Sequence, residues 1–225
     1  MSSLQNPIWA ALTTRQESFA EIRRTARKFP AAVTTLAGMS EPTGESLAAL
    51  AELLQPGEIT ALFLGNAVPL PKNLVSVYEL PLVQMMHDGS PCAAARRHEI
   101  LELGPADVPE MVALAKLTEP GPFGTRTREL GTYIGIRRDG QLAAMAGERL
   151  KLPGHIEISA VCTHPDHTGH GYATALVAEM VARIAAQGER PILHSRANNM
   201  RALDVYRRLG FAVSQTFHLM VVKRA

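Results

Sequence analysis

Residues 157–173 read Glu-Ile-Ser-Ala-Val-Cys-Thr-His-Pro-Asp-His-Thr-Gly-His-Gly-Tyr-Ala. A strand-like run ends at Thr163, and a short turn follows that carries Gly169 and Gly171. Ala173, Leu176, Val177, Met180, Val181 and Ile184 then recur at the spacing of one buried helix face. A strand that passes directly into a helix leaves main-chain N–H groups unpaired at the positive end of the helix dipole, which is an anion site. The two glycines put no side chain in the way of a phosphate, and Ala173 adds only a methyl. The turn is therefore expected to cradle a pyrophosphate. The plain alternative is a tight turn that needs glycine only for its backbone angles. Two nucleotide readings fail. A Rossmann fingerprint wants a third small residue where Thr174 stands, in an early parallel unit, and the Gly-Lys-Ser/Thr of a Walker A loop is absent.

Outward from this stretch, the chain of 225 residues divides at a linker-like segment over residues 86–97. Residues 1–95 are expected to form an N-terminal α/β lobe and residues 96–225 a second domain. In the lobe, Thr14 and Glu17 fit a capping box ahead of Phe19, Ile22, Ala26 and Phe29 at helical spacing. A second helix is signalled by Leu47, Leu50, Ala51 and Leu54, and strands by residues 59–64 and 74–80. Beyond the linker come a strand at 98–103, a helix opened by residues 104–107, and a hairpin of 133–137 with 141–149 around Asp139-Gly140. Strand 156–163, helix 170–186, strand 191–196, helix 199–209 and strands 211–213 and 216–222 complete the pattern. The fold class expected is α/β with mixed α+β character: a central mixed sheet flanked by helices.

Composition sets the remaining limits. Hydrophobic residues make up 46% and charged residues 20%, enough apolar matter for a core. The net charge of +2 has no basic block behind it, which argues against a nucleic-acid surface. Cys92 and Cys162 are too few for a disulfide framework, no apolar run could span a bilayer, and the opening residues carry no leader pattern. A cytoplasmic setting without membrane attachment is expected. Cys162, His164, His167 and His170 lie close enough to suggest zinc, but their spacing fits no common zinc pattern, and no metal is expected.

The stretch around the glycine turn closely resembles the acyl-CoA-binding motif of the GNAT superfamily of N-acetyltransferases, most of all its FR47-like branch. The family pattern of Arg or Gln, two residues, Gly, one residue, Gly or Ala falls on Thr168, Gly171 and Ala173, with Thr in the Arg/Gln place. Downstream, the run from Asn199 through Ala202 and Tyr206 to Gly210-Phe211 matches a second family signature. The resemblance covers residues 98–225. It implies the GNAT acyl-CoA N-acyltransferase fold, with a mostly antiparallel central sheet. The first lobe would be a degenerate half of the kind found in two-lobed relatives such as the glycine N-acyltransferases. It also implies acetyl-CoA or another acyl-CoA as cosubstrate, with direct transfer of the acyl group to a primary amine in a ternary complex. The acceptor would be a small molecule or a peptide; a homodimer is left open. The alternative is a non-catalytic acyl-CoA-binding or regulatory module.

On that resemblance Thr168, Gly169, His170, Gly171, Tyr172, Ala173 and Thr174 would hold the pyrophosphate. Val161, Cys162 and Thr163 would offer main-chain groups to the pantetheine arm, with Asn199 and Ala202 near it. Tyr206 would protonate the departing thiolate; its plain alternative is a core position, because it shares an apolar stripe with Ala202, Val205 and Leu209. Glu157 is the candidate base. Strand alternation puts it opposite Ile156, Ile158, Ala160 and Cys162, and a carboxylate there needs either a wet cleft or a partner. Glu148 is a weaker candidate. By family position residues 123–130 are expected to line the acceptor cleft, with Arg126 and Arg128 among them.

Overall fold

The computed structural model describes residues 3–92 and 98–225. The expected linker segment therefore falls partly outside the described residues. Its beginning, up to His87, belongs to a strand.

Helix α1 (Pro7–Thr13) opens the chain, started by a proline whose fixed backbone suits the first helical turn. The helix expected from Thr14 onward does not form. Residues 17–19 make a single 3-10 turn, then β1 (Glu21–Arg23) and β2 (Ala26–Lys28) fold back on each other, with Arg24 in the left-handed region at φ +48. The apparent helical period misleads here. Ile22 is 53% exposed, whereas Ala26 and Phe29 are fully buried, so these side chains do not share a face. Strand β3 (Ala37–Met39) completes this small sheet. Helix α2 (Gly44–Leu53) follows as expected, with the Thr43 side chain accepting from the Ser46 N–H at its start.

The main sheet takes β4 (Ile59–Leu64) and β5 (Leu74–His87) from the first lobe. From the remainder it takes β6 (Leu101–Glu102), β7 (Tyr133–Arg138), β8 (Gln141–Leu152), β9 (His155–Thr163), β10 (Arg190–Arg196) and β11 (Phe211–Arg224). Their spatial order is β4-β11-β5-β10-β9-β8-β7-β6. All neighbours are antiparallel except β9 and β10. Strand β5, from the first 92 residues, sits between β10 and β11 inside one continuous sheet. The two short strands expected after Gly210 are one, joined across a register shift between Val213 and Gln215.

Helix α3 (Val108–Thr118) and helix α4 (Tyr172–Ala186) cover opposite faces. On β8, Ala144 and Ala146 pack into the cluster with Leu176, Met180 and Ile184 of α4, while Met145 between them joins Met111 and Leu114 of α3. Helix α5 (Met200–Arg208) adds Leu203 and Tyr206 to the α4 side. At the other end of the sheet, Leu62, Leu64, Met220 and Val222 bury against α2. Their alternate neighbours Ala61, Phe63, Leu219 and Val221 pack with α1, Phe29 and Leu36. Buried Gln16 ties the first lobe to β8, donating to the Arg149 carbonyl at 2.8 Å and accepting from the Lys151 N–H at 3.1 Å.

Candidate active site

Strands β9 and β10 pair only from His155↔Arg190 to Ile158↔Leu193. Beyond Leu193, β10 continues along β5 as far as Arg196↔Leu82, while β9 leaves it. A bulge marks the parting: Ala160 lies at φ +52, unusual for a residue with a Cβ, and the β8–β9 register shifts between Met145 and Gly147. The bulge also corrects the simple alternation expected from sequence. Ile156 and Ile158 pack on the α4 side, whereas Ala160 and Cys162 pack on the α3 side and Val161 turns toward α4. Period-two reasoning cannot anticipate one inserted residue.

Into this opening falls a cavity of about 540 Å³. One wall is β9 from Ile158 to Thr163, with Thr168, Ala173, Asn199, Ala202 and Tyr206 continuing it. The opposite wall includes Leu36, Ala61, Phe63, Tyr78 and Leu82, all from the first 92 residues. The segment after α3 contributes Pro120, Gly121 and Pro122. The expected lining by residues 123–130 is not found. Arg126 is paired with Glu129, its N–H donates to the Ala32 carbonyl, and Arg128 donates to the Leu103 carbonyl. That segment docks the two halves of the chain on each other.

At one end of the cavity stands the glycine turn. Gly169 (φ +85) and Gly171 (φ +78) both occupy the left-handed region, and a Cβ built on either would meet nothing within 4 Å. The positive φ is what the turn demands, and the open space is what an approaching anion needs. Among the described residues, no acceptor meets the N–H groups of Gly169, His170 or Gly171. Around the turn, the Thr168 hydroxyl donates to the Pro165 carbonyl, and His170 stacks on Tyr172 at 5.5 Å. Arg138 lies over the Tyr172 ring and donates to its hydroxyl at 2.8 Å. Thr174 is half-buried on the first turn of α4. No group of three or more His, Cys, Asp or Glu side chains placed to hold a metal ion occurs among the described residues.

Glu157 does not face a wet cleft, and this corrects its expected role as base. It is fully buried and receives a two-pronged bond from Arg149, Nε at 2.9 Å and Nη2 at 2.6 Å. The Leu150 N–H donates to it at 3.2 Å and His194 Nδ1 lies at 2.7 Å. Burial opposes its ionisation, but the charge of Arg149 and the hydrogen bonds from Arg149 and His194 outweigh it and hold the carboxyl well below the usual carboxylate range. A carboxylate so firmly ionised and so fully engaged is a poor proton acceptor. The network continues. Gln84 accepts at Oε1 from Ser214 and Gln215, so its Nε2 is the donor facing His194 Nε2 at 3.0 Å, and His194 Nδ1–H donates to Glu157. Glu148 is likewise buried behind the cavity, paired with Lys151 at 2.8 Å.

Tyr206 lines the cavity from α5, and no hydrogen bond engages its hydroxyl among the described residues. Burial, with a smaller contribution from nearby Cys162, pushes its phenol up to about 12. It therefore stays protonated at neutral pH and able to give a proton. Burial also pushes the Cys162 thiol up to about 11, so the one sulfur on the wall is a weak nucleophile. Asn199 caps α5, accepting from the Ala202 N–H at 3.2 Å, and lines the cavity as well.

Sequence reasoning missed Arg149 and His194, both on the cavity wall, and Gln84 behind them. Gln84 is an isolated polar residue in an apolar strand, and Arg149 and His194 sit in strands whose neighbours are largely buried; that was the available signal, since a polar side chain in a central strand needs a partner.

A mostly antiparallel sheet split at its one parallel pair, with an open amide turn at one end and a phenol on the wall, is the arrangement that the resemblance to the GNAT superfamily leads one to expect. The comparisons agree. The family model described as FR47-like protein matches residues 133–219. Over the full length of both chains, this one is 35% identical, with a TM-score of 0.93, to a protein from Novosphingobium aromaticivorans assigned to the GNAT acetyltransferases. The fold is shared with a GCN5-related N-acetyltransferase from Kribbella flavida (TM-score 0.63, 14% identity, 97% of this chain and 93% of that one). It is also shared with a GNAT acetyltransferase from Colwellia psychrerythraea (TM-score 0.53, 17% identity, 67% and 58%). Among curated proteins no sequence matches the chain. The chain belongs to the GNAT acetyltransferase family.

Proposed function

We propose that the protein transfers an acetyl or other short acyl group from acyl-CoA directly to a primary amine. The observation that carries this reading is the parting of β9 from β10 beside the glycine turn. It leaves a row of main-chain groups open along a cavity with Tyr206 on its wall. The turn from Thr168 to Thr174 holds the pyrophosphate at the start of α4, and the residues present fit an anion there because the N–H groups of Gly169, His170 and Gly171 meet no acceptor among the described residues and no side chain intrudes. Main-chain groups of Val161, Cys162 and Thr163 pair with the pantetheine arm as an added strand would, with Asn199 and Ala202 beside it.

The amine nitrogen attacks the thioester carbonyl carbon, and charge gathers on the carbonyl oxygen, which an N–H of the β9 bulge receives. The C–S bond then breaks and the sulfur takes the Tyr206 proton, while the proton lost by nitrogen passes to solvent. No carboxylate base is needed if the amine arrives unprotonated, and the cavity favours that form: apolar walls and the Arg149 cation both disfavour a second positive charge. Glu157 acts as a positioning residue for Arg149 and His194. The raised thiol of Cys162 favours direct transfer over an acyl-cysteine intermediate.

The test is release of free thiol from acetyl-CoA in the presence of a panel of primary amines. Amine-dependent release supports an enzyme. Tight acetyl-CoA binding without release from any amine would favour the non-catalytic module.

A further inference from the structure

Resting on the reading above, we infer that the acceptor is an apolar amino acid, with its carboxylate bound by Arg149 and its side chain by the wall that the first lobe supplies. The geometry behind this is specific. Glu157 engages Nε and Nη2 of the Arg149 guanidinium, but Nη1 has no partner among the described residues and borders the cavity, where a Cβ on Gly121 would come within 3.7 Å of it. A guanidinium N–H that opens onto a cavity while the rest of the group is held by a carboxylate suits a ligand oxygen. Its direction is fixed, because a two-pronged carboxylate bond locks the plane of the guanidinium.

Glu157 cannot serve as the site for an ammonium group. Both its oxygens are saturated by Arg149, the Leu150 N–H and His194. The other charged groups on the cavity are Arg196 and Arg201, exposed at its mouth, and Glu119. Positive groups outnumber negative ones, which favours an acceptor that brings a carboxylate and disfavours a polyamine. The lining also carries an apolar set: Leu36, Ala61, Phe63, Leu82 and Leu219. Phe63 is held there by His194, with ring centres 4.9 Å apart, and by Phe217 at 5.9 Å. An amine at the thioester, a carboxylate on Arg149 and an apolar side chain against Phe63 together describe an α-amino acid such as leucine or phenylalanine.

The experiment compares matched acceptors in the thiol-release assay: leucine against isoamylamine and phenylalanine against phenethylamine, pairs that differ only in the carboxylate. Loss of one charge-assisted hydrogen bond predicts that each amino acid exceeds its amine about 10- to 100-fold in kcat/KM. Glycine, lacking the apolar part, is expected to fall below leucine. Replacing Arg149 alone would strand a buried carboxylate, so the variant is Arg149→Met combined with Glu157→Gln, which removes both charges. In it the leucine-to-isoamylamine ratio is expected to fall toward one, while calorimetry with acetyl-CoA reports whether the cosubstrate site is intact. Equal rates with the amino acids and their amines, or no transfer to leucine or phenylalanine by a protein that binds acetyl-CoA, would overturn the inference and leave the cosubstrate site standing. Failure to bind acetyl-CoA at all would instead remove the proposed function beneath it.

Discussion

The two walls of the cavity are built on different chemical principles. The wall of β9 and α5, with the glycine turn beside it, is shaped by backbone features: a bulge, two glycines and a helix start. The facing wall, from β4, β5 and the Leu36 segment, presents side chains brought together from distant parts of the chain. Main-chain recognition suits a cosubstrate common to many enzymes; side-chain recognition suits an acceptor particular to one. The sheet order explains how both meet, since a strand of the first lobe runs between β10 and β11.

Breaking the main-chain wall should have the largest effect. Gly171→Val forces a branched residue into a left-handed conformation and fills the space over the turn, and should weaken acetyl-CoA binding about 100-fold or more by calorimetry. Its folded stability should fall by only about 1–2 kcal/mol, because no neighbour lies within 4 Å of the added Cβ. Undiminished affinity would remove the turn from the site.

The network that separates the walls gives the next effect. Arg149→Met should cost about 3–5 kcal/mol in denaturant unfolding by stranding buried Glu157, and the double variant with Glu157→Gln should recover most of it. A double variant no more stable than the single one would contradict this description of the pair. Tyr206→Phe should then lower kcat about 100-fold with little change in acetyl-CoA affinity. Equal turnover would take the phenol out of the mechanism.

The smallest effect is on pH-dependent stability. The folded carboxyl of Glu157 is held below its unfolded value, so its contribution is fully present above the ordinary carboxylate range and is lost as pH falls through that range and below. Between pH 6 and about pH 3 the wild type should therefore lose more stability than the Arg149→Met, Glu157→Gln double variant. Parallel acid profiles for the two would show that the pair carries no such linkage.

The same contrast governs what the sequence disclosed. The strand–turn–helix of residues 157–173 and the α5 run were legible because glycine positions and helical spacing report directly on backbone geometry. The bulge at Ala160 was not, because alanine carries no sign of a left-handed backbone, and it reversed the faces assigned to Ala160 and Cys162. Glu157 was correctly marked as needing a partner, but that partner is Arg149, eight residues away across the β8–β9 hairpin, a pairing that spacing alone does not reveal. The β5 insertion was equally hidden: residues 74–80 read as a strand, yet nothing local says which strands will flank it. The first helix failed for a simpler reason, a chance period in a segment whose Phe19 and Phe29 meet across a small hairpin.

Amide hydrogen exchange in the presence and absence of acetyl-CoA tests the central claim most directly. Slowed exchange at residues 168–174 and along residues 161–163, with little change in β4, is the result this account predicts. Binding that leaves those amides exchanging at their free rate would contradict it, because the cosubstrate would then be held by something other than the open main chain of the cleft.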